Sequence, residues 1–146
     1  ELYRALIFSN LIALYMKNQI GKLSAYCGVV SASAAVIAAI AFMEKDDKEI
    51  IEETISNALA VNSGIICDGA KSSCAMKIAS SIRNANLAYQ QAKSGNSFKV
   101  GDGIVKENLD KTIESVGKIA RYGMKKTDEV VLSEMIENYD YLEDFK

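Results

Sequence analysis

At 146 residues the chain is long enough for one domain with one hydrophobic core, and with 49% apolar and 25% charged residues it is too apolar for disorder. Seventeen basic against nineteen acidic residues leave a net charge of −2, which argues against a binder that works by neutralising nucleic-acid phosphates. Histidine is absent, which excludes Ser-His-Asp and Cys-His catalysis within this chain and every metal site that needs an imidazole. Proline is absent too, where average usage of about 5% would give about seven, and only nine glycines remain as turn punctuators. Long helices are therefore favoured over many short strands.

Residues 2–19 read as a strongly apolar helix ended by Gly21, and Lys22–Gly28 as a break. Residues 29–43 form an alanine-rich helix inside the uncharged run Leu23–Met43, which has the length of a membrane span. Alanine dominates that run (Ala32, Ala34, Ala35, Ala38, Ala39, Ala41), with Ser24, Ser31 and Ser33 interspersed. Such residues transfer little free energy into hydrocarbon, so a buried central helix fits better than a membrane helix. Lys45–Lys48 is a charged connection. Residues 47–61 place Ile50, Ile51, Ile55, Leu59 and Ala60 against Glu49, Glu52 and Glu53, the spacing of an amphipathic helix. Asn62–Gly69 is a loop, and residues 70–93 read as a further helix through Met76, Ala79, Ile82 and Leu87.

Ser94–Gly103 is glycine-rich. Its Gly101-Asp102-Gly103 reads as a turn needing positive φ rather than a phosphate loop, because no strand precedes it and no GK[ST] follows. Asn108–Lys125 is helical through Ile113, Val116 and Ile119, and Thr127 is the expected N-cap of the last helix, with Val130, Val131, Met135 and Ile136. Tyr139, Tyr141 and Phe145 alternate with acids in a tail that reads as frayed or as packing on further polypeptide. No internal repeat is visible. The expectation is an all-α fold, a single domain over 1–146 with about six helices around the alanine-rich one. The chain starts at Glu1 with helical periodicity at once and no charged leader region, which reads as a domain cut from a longer chain without a signal peptide.

Three cysteines, Cys27, Cys67 and Cys74, are an odd count that does not suggest a disulfide framework. The bland reading is buried small hydrophobes. Their placement suggests more. Cys27 precedes the alanine-rich helix, Cys67 lies in a loop beside Asp68 and Gly69, and Cys74 falls in the first turns of the next helix. Backbone N–H groups and the helix dipole at such positions favour thiolate, the donor that soft metals require. Cys67 and Cys74 would be about 10 Å apart on a continuous helix. A shared site therefore needs Cys67 in a loop that folds back, which Gly64 and Gly69 permit. Three thiolates fall short of the four donors of structural zinc and match a [4Fe–4S] cluster with one open iron. A zinc or redox-sensing domain and a non-catalytic helical interaction domain with inert cysteines remain as alternatives.

The strings Lys22-Leu-Ser-Ala-Tyr-Cys-Gly28, Gly64-Ile-Ile-Cys-Asp-Gly-Ala-Lys-Ser-Ser-Cys-Ala-Met-Lys77, Gly101-Asp-Gly-Ile-Val105 and Gly117-Lys-Ile-Ala-Arg-Tyr-Gly-Met124, followed by Thr127-Asp128, resemble one family. It is the iron–sulfur-dependent L-serine dehydratase α-domain family, in the branch that includes L-cysteine desulfidase. The resemblance spans about residues 20–130. It implies pyridoxal-independent β-elimination of L-serine or L-cysteine to pyruvate and ammonia, with hydrogen sulfide from cysteine. It also implies an oxygen-sensitive [4Fe–4S] cluster as Lewis acid, held by Cys27, Cys67 and Cys74. Family chains are considerably longer, and the resemblance covers only their C-terminal, cluster-binding part.

Candidates for substrate chemistry are Lys71, Lys77 and Asp68, with Lys22 and Asp102 behind them. Lys71 and Lys77 stand three residues either side of Cys74, which would put all three near one helical face. Ser24, Ser72 and Ser73 read first as helix caps, and Tyr26 as core packing. The expected partners are a small amino-acid substrate and the missing N-terminal portion of a longer chain, with self-association into a homo-oligomer open. Neither nucleic acid nor membrane is expected, and the expected location is cytoplasmic.

Overall fold

The computed structural model describes residues 1–136. Six α-helices carry the chain: α1 (Leu2–Ile20), α2 (Gly28–Met43), α3 (Lys48–Asn62), α4 (Ser73–Lys93), α5 (Leu109–Lys118) and α6 (Lys125–Met135). The described residues form no β-strand, only one isolated antiparallel bridge between Tyr26 and Ile66. The all-α bundle read from the sequence is the observed architecture.

α2 lies at the centre, packed against α1, α3 and α4, while α5 packs on α1 and α3. Its small side chains explain the position. Ala34, Ala35, Ala38 and Ala41 are almost fully buried and let three neighbours approach one axis. Larger groups fill the remaining space, among them Met16, Val30, Ile55, Leu59, Ile113 and Val116. α5 crosses the end of α1 at close range. A Cβ on Gly117 would stand 2.8 Å from the Gln19 carbonyl oxygen, so only glycine fits without a shift of backbone.

Two buried amides tie the long connections to this core. The Asn57 amide donates to the Ala88 carbonyl and Ser97 Oγ (both 3.3 Å) and accepts from the Phe98 N–H at 3.1 Å, which fixes the glycine-rich loop after α4. Asn62 donates to the Ser81 carbonyl at 3.1 Å and accepts from Asn84 at 3.0 Å, which holds the start of the cysteine-bearing loop. Gly101 and Gly103 both have positive φ, as their turn was expected to need.

Three boundaries differ from the sequence reading. α4 begins at Ser73 rather than near residue 70, so Lys71 lies on the entry turn and not on a helical face. The helix expected over Asn108–Lys125 breaks after Lys118 into a π-helical turn, Ile119–Gly123, closed by the Met124 N–H on the Ile119 carbonyl at 2.8 Å. Thr127 lies inside α6, whose cap position is Met124, because the chain leaves the π turn straight into the next helix with no extended residue for a cap. Tyr139, Tyr141 and Phe145 lie outside the described residues. No helix among those described is long and apolar enough to cross a membrane.

Candidate cysteine site

Two loops meet at the N-terminal ends of α2 and α4. The Cys27 N–H donates to the Ile65 carbonyl at 3.1 Å, and the Cys67 N–H donates to the Ala25 carbonyl at 2.7 Å. This reciprocal pair is the Tyr26–Ile66 bridge. It ties the Cys27 and Cys67 loops together although 40 residues separate the two cysteines in sequence, with Cys27 opposite Ile65 and Cys67 opposite Ala25 on either side of the bridge. Cys27 occupies the N-cap position of α2 and is buried in the core, while Cys67 and Cys74 are half-buried. Cys74 is the second residue of α4, and its thiol donates to the Gly69 carbonyl at 3.2 Å. All three are free.

Gly69 makes the reversal between Cys67 and Cys74 with φ +86°, a conformation that side chains with a Cβ rarely adopt. The Met135 methyl group of α6 lies over it, 2.6 Å from where a Cβ would be, so that face of the loop is covered as well.

Lys77 is the charge centre of the site. Its ammonium donates to the Ile66 carbonyl at 3.0 Å and pairs closely with Asp68. The hydrogen bond to Asp68 holds the lysine above its ordinary pKa, and charge on the Cys27 and Cys74 sulfurs pushes in the same direction. The same hydrogen bond holds the Asp68 carboxyl below its ordinary value. Lys77 thus remains cationic at neutral pH within electrostatic reach of two of the three sulfurs. The Lys71 carbonyl accepts from the Cys74 N–H at 2.9 Å, while its ammonium has no ion-pair or hydrogen-bond partner among the described residues. Asp102 serves its own turn by accepting from the Lys99 N–H at 2.6 Å, and it lines a separate cleft with Phe98 and Val61.

Ser24 is the residue whose role the sequence concealed. It does not cap a helix. Its hydroxyl donates to the Ala120 carbonyl in the π turn at 2.8 Å and accepts from the Tyr26 N–H at 3.0 Å. A serine two residues before the buried Tyr26 was the available signal, since Ser side chains commonly bond backbone two residues on. Ser72 holds the cap position of α4 but makes no side-chain cap hydrogen bond. Tyr26 is core, as expected, with its hydroxyl buried and unpartnered among the described residues, and burial pushes its pKa well above the ordinary phenol value.

Among the described residues, no three or more Cys, Asp or Glu side chains gather tightly enough to hold a metal ion. The donor chemistry of the site (three free thiols on two backbone-bonded loops, with one committed cation) suits an iron–sulfur cluster.

A family model described as serine dehydratase alpha chain matches residues 1–133, and the chain belongs to that family. A UPF0597 protein of Finegoldia magna is 51% identical over 136 residues, which is 93% of this chain and 33% of the relative. UPF0597 proteins of Treponema denticola (51% identical; 94% of this chain, 32% of the relative) and Lachnoclostridium phytofermentans (52% identical; 93% and 33%) are similarly close. The chain thus spans about a third of the length of the curated relatives it matches. No solved structure matches it.

Proposed function

We propose that this chain is the cluster-holding part of a pyridoxal-independent lyase that eliminates the β-substituent of L-serine or L-cysteine, giving pyruvate and ammonia and, from cysteine, hydrogen sulfide. The observation that carries the reading is the reciprocal backbone pair that ties the Cys27 loop to the Cys67 loop near the start of α4, where Lys77 holds the Ile66 carbonyl and Asp68. Cys27, Cys67 and Cys74 are the residues that would hold a [4Fe–4S] cluster. When bound, the cluster supplies an open iron as Lewis acid, which makes the substrate's hydroxyl or thiol a better leaving group.

The chain's own side chains divide the remaining work. Lys77 is spent on Asp68 and the Ile66 carbonyl, so it fixes the Cys67 loop and offsets the negative charge of the thiolates. Lys71 is the uncommitted cation on the same loop and is assigned to the substrate carboxylate. Neither member of the Lys77–Asp68 pair is poised to accept the α-proton: the lysine is held protonated, and the carboxylate is held a weaker base than usual. The proton acceptor is therefore assigned to polypeptide outside this chain. A reducing cytoplasmic location suits three free thiols.

The test is anaerobic reconstitution of the full-length protein with iron and sulfide, followed by pyruvate and sulfide assays on L-serine and L-cysteine side by side. Broad visible absorbance from thiolate–iron charge transfer is expected, and its loss in each of Cys27→Ala, Cys67→Ala and Cys74→Ala. A protein that takes up no iron ends the reading. So does one whose absorbance survives all three substitutions.

A further inference from the structure

The outer side of the bundle is apolar in a way that residues 1–136 alone do not explain. α1 carries only two charged residues, Arg4 and Lys17, yet buries only Met16 and Ile20, and Leu2, Ile7 and Leu11 are each at least 60% exposed. A helix that is apolar nearly all round is normally interior. α2 adds an exposed line of its own, Gly28, Ala32, Val36 and Ile40, spaced four apart along one face. Val36 is 44% and Ile40 46% exposed in the most buried helix of the protein.

This line is the floor of a trough. On one side Ile78 and Ile82 of α4 wall a depression of about 360 Å³, and on the other Leu6 of α1 walls one of about 340 Å³; the two share Val36. The α4 side holds no charged residue, and the α1 side holds only Glu44 at its end. Contiguous exposed apolar surface of this kind marks interaction sites. Charge depletion through the centre of a patch marks a permanent interface, which resembles a domain core cut in half, more than a reversible one.

The relatives identify the occupant. About two thirds of each relative's polypeptide lies outside the stretch that this chain matches. We propose that the trough over α2 seats an apolar helix from that remaining polypeptide, lying along Gly28, Ala32, Val36 and Ile40 in the helix-in-groove manner. The line begins at Gly28, the residue after Cys27, so the docked segment ends beside the cysteine site and shields it from water on that side. The docking itself does not depend on the lyase reading, because neither measurement below records iron or turnover.

The test uses the full-length protein in two ways. Hydroxyl-radical footprinting needs no substitution. Labelling of Val36, Ile40 and Ile82, corrected for intrinsic reactivity, is expected to fall to the level of buried Ile55. A photo-crosslinking amino acid at Ile40, or at Ile82 if the first variant fails to fold, is then expected to join residues outside 1–146 within one polypeptide. Labelling clearly above that of Ile55 overturns the proposal. A crosslink that joins two copies, or that reaches only residues 137–146, overturns it as well.

Discussion

Ser24→Ala removes one hydroxyl and tests whether the π turn buttresses the Cys27 loop. The hydroxyl makes two hydrogen bonds, to the Ala120 carbonyl at 2.8 Å and from the Tyr26 N–H at 3.0 Å. Tyr26 is only 3% exposed, so its N–H has no water to turn to when the oxygen is gone. An orphaned buried donor costs about 1–3 kcal/mol, and losing the second bond adds about 0.5–1.5 kcal/mol. A loss of roughly 2–3 kcal/mol follows, or about 4–12 °C in melting temperature for a domain of this size. Urea unfolding followed by circular dichroism measures it. Because the bridge between Tyr26 and Ile66 is built on the same segment, the reaction of Cys27 with a thiol reagent under native conditions should also accelerate. Ser24→Thr keeps the hydroxyl and should recover most of both effects. A Ser24→Ala protein within about 0.5 kcal/mol of the parent, with unchanged Cys27 reactivity, would refute the buttress, since that is the ordinary scatter of surface substitutions.

Lys45 ends α2 at φ +63°, with the Asp46 N–H on the Ala41 carbonyl and the Lys45 N–H on the Phe42 carbonyl, the paired bonds of a Schellman stop. Lys45→Gly relieves a left-handed strain of about 1–2 kcal/mol and loses somewhat less in chain entropy, so the urea midpoint should rise by the equivalent of about 0.5–1 kcal/mol. Gly117→Ala gains about 1 kcal/mol of helix propensity but drives a methyl into the Gln19 backbone, an overpacking cost of about 1–3 kcal/mol, so a fall in the guanidinium midpoint is expected. The Asp68–Lys77 pair should hold the Cys67 loop over a wide pH range. Its carboxyl is lowered from 3.8, so its contribution is present above that value and disappears as pH falls through the lower folded value. Its ammonium is raised from 10.5, so that contribution is present below 10.5 and disappears as pH rises past the higher folded value. Native-state exchange of the Cys67 amide across both ranges, compared with Lys77→Met, measures the effect; a flat difference between the two proteins refutes it.

The helices were legible because their signals are local. The alanine run announced α2 as the central element, and the Ile50–Leu59 pattern announced α3, since each records one helix facing one core. The stop of α2 at Met43 was legible from the charged Lys45–Lys48 connection, although a lysine stands where glycine would normally mark it. The π turn was not legible at all. Ile119–Gly123 has no proline or internal glycine to interrupt it, and the Ala120 carbonyl finds its partner in a serine 96 residues away. The cysteines divide in the same way. Their positions at or before helix starts follow from the order of the elements, and all but Cys67 adjoin a helix as expected. What joins them, the pairing of Ala25 and Ile65 with Cys67 and Cys27, is a contact between loops far apart in sequence. The role of Lys77 was legible only as nearness to Cys74. Its commitment to the Ile66 carbonyl required the fold.

The three cysteines are also unequal in how firmly they are held, and the inequality bears on how an inorganic group could be loaded. Cys27 is part of the central helix's cap and of the core itself, so moving it would disturb packing with cavity and strain costs on the order of a few kcal/mol. Cys67 and Cys74 are joined by a short strap tied to the Cys27 loop by the Cys67 N–H on the Ala25 carbonyl and otherwise held by the Lys77 contacts, the Cys74 thiol on the Gly69 carbonyl, one glycine reversal and a methionine methyl lying over it. The ion pair among them is partly exposed, so solvent weakens it relative to the packing that holds Cys27. Under the proposed function, adjustment on cluster loading would fall to the strap, with α2 as the fixed reference, because the core holds Cys27 and not the strap.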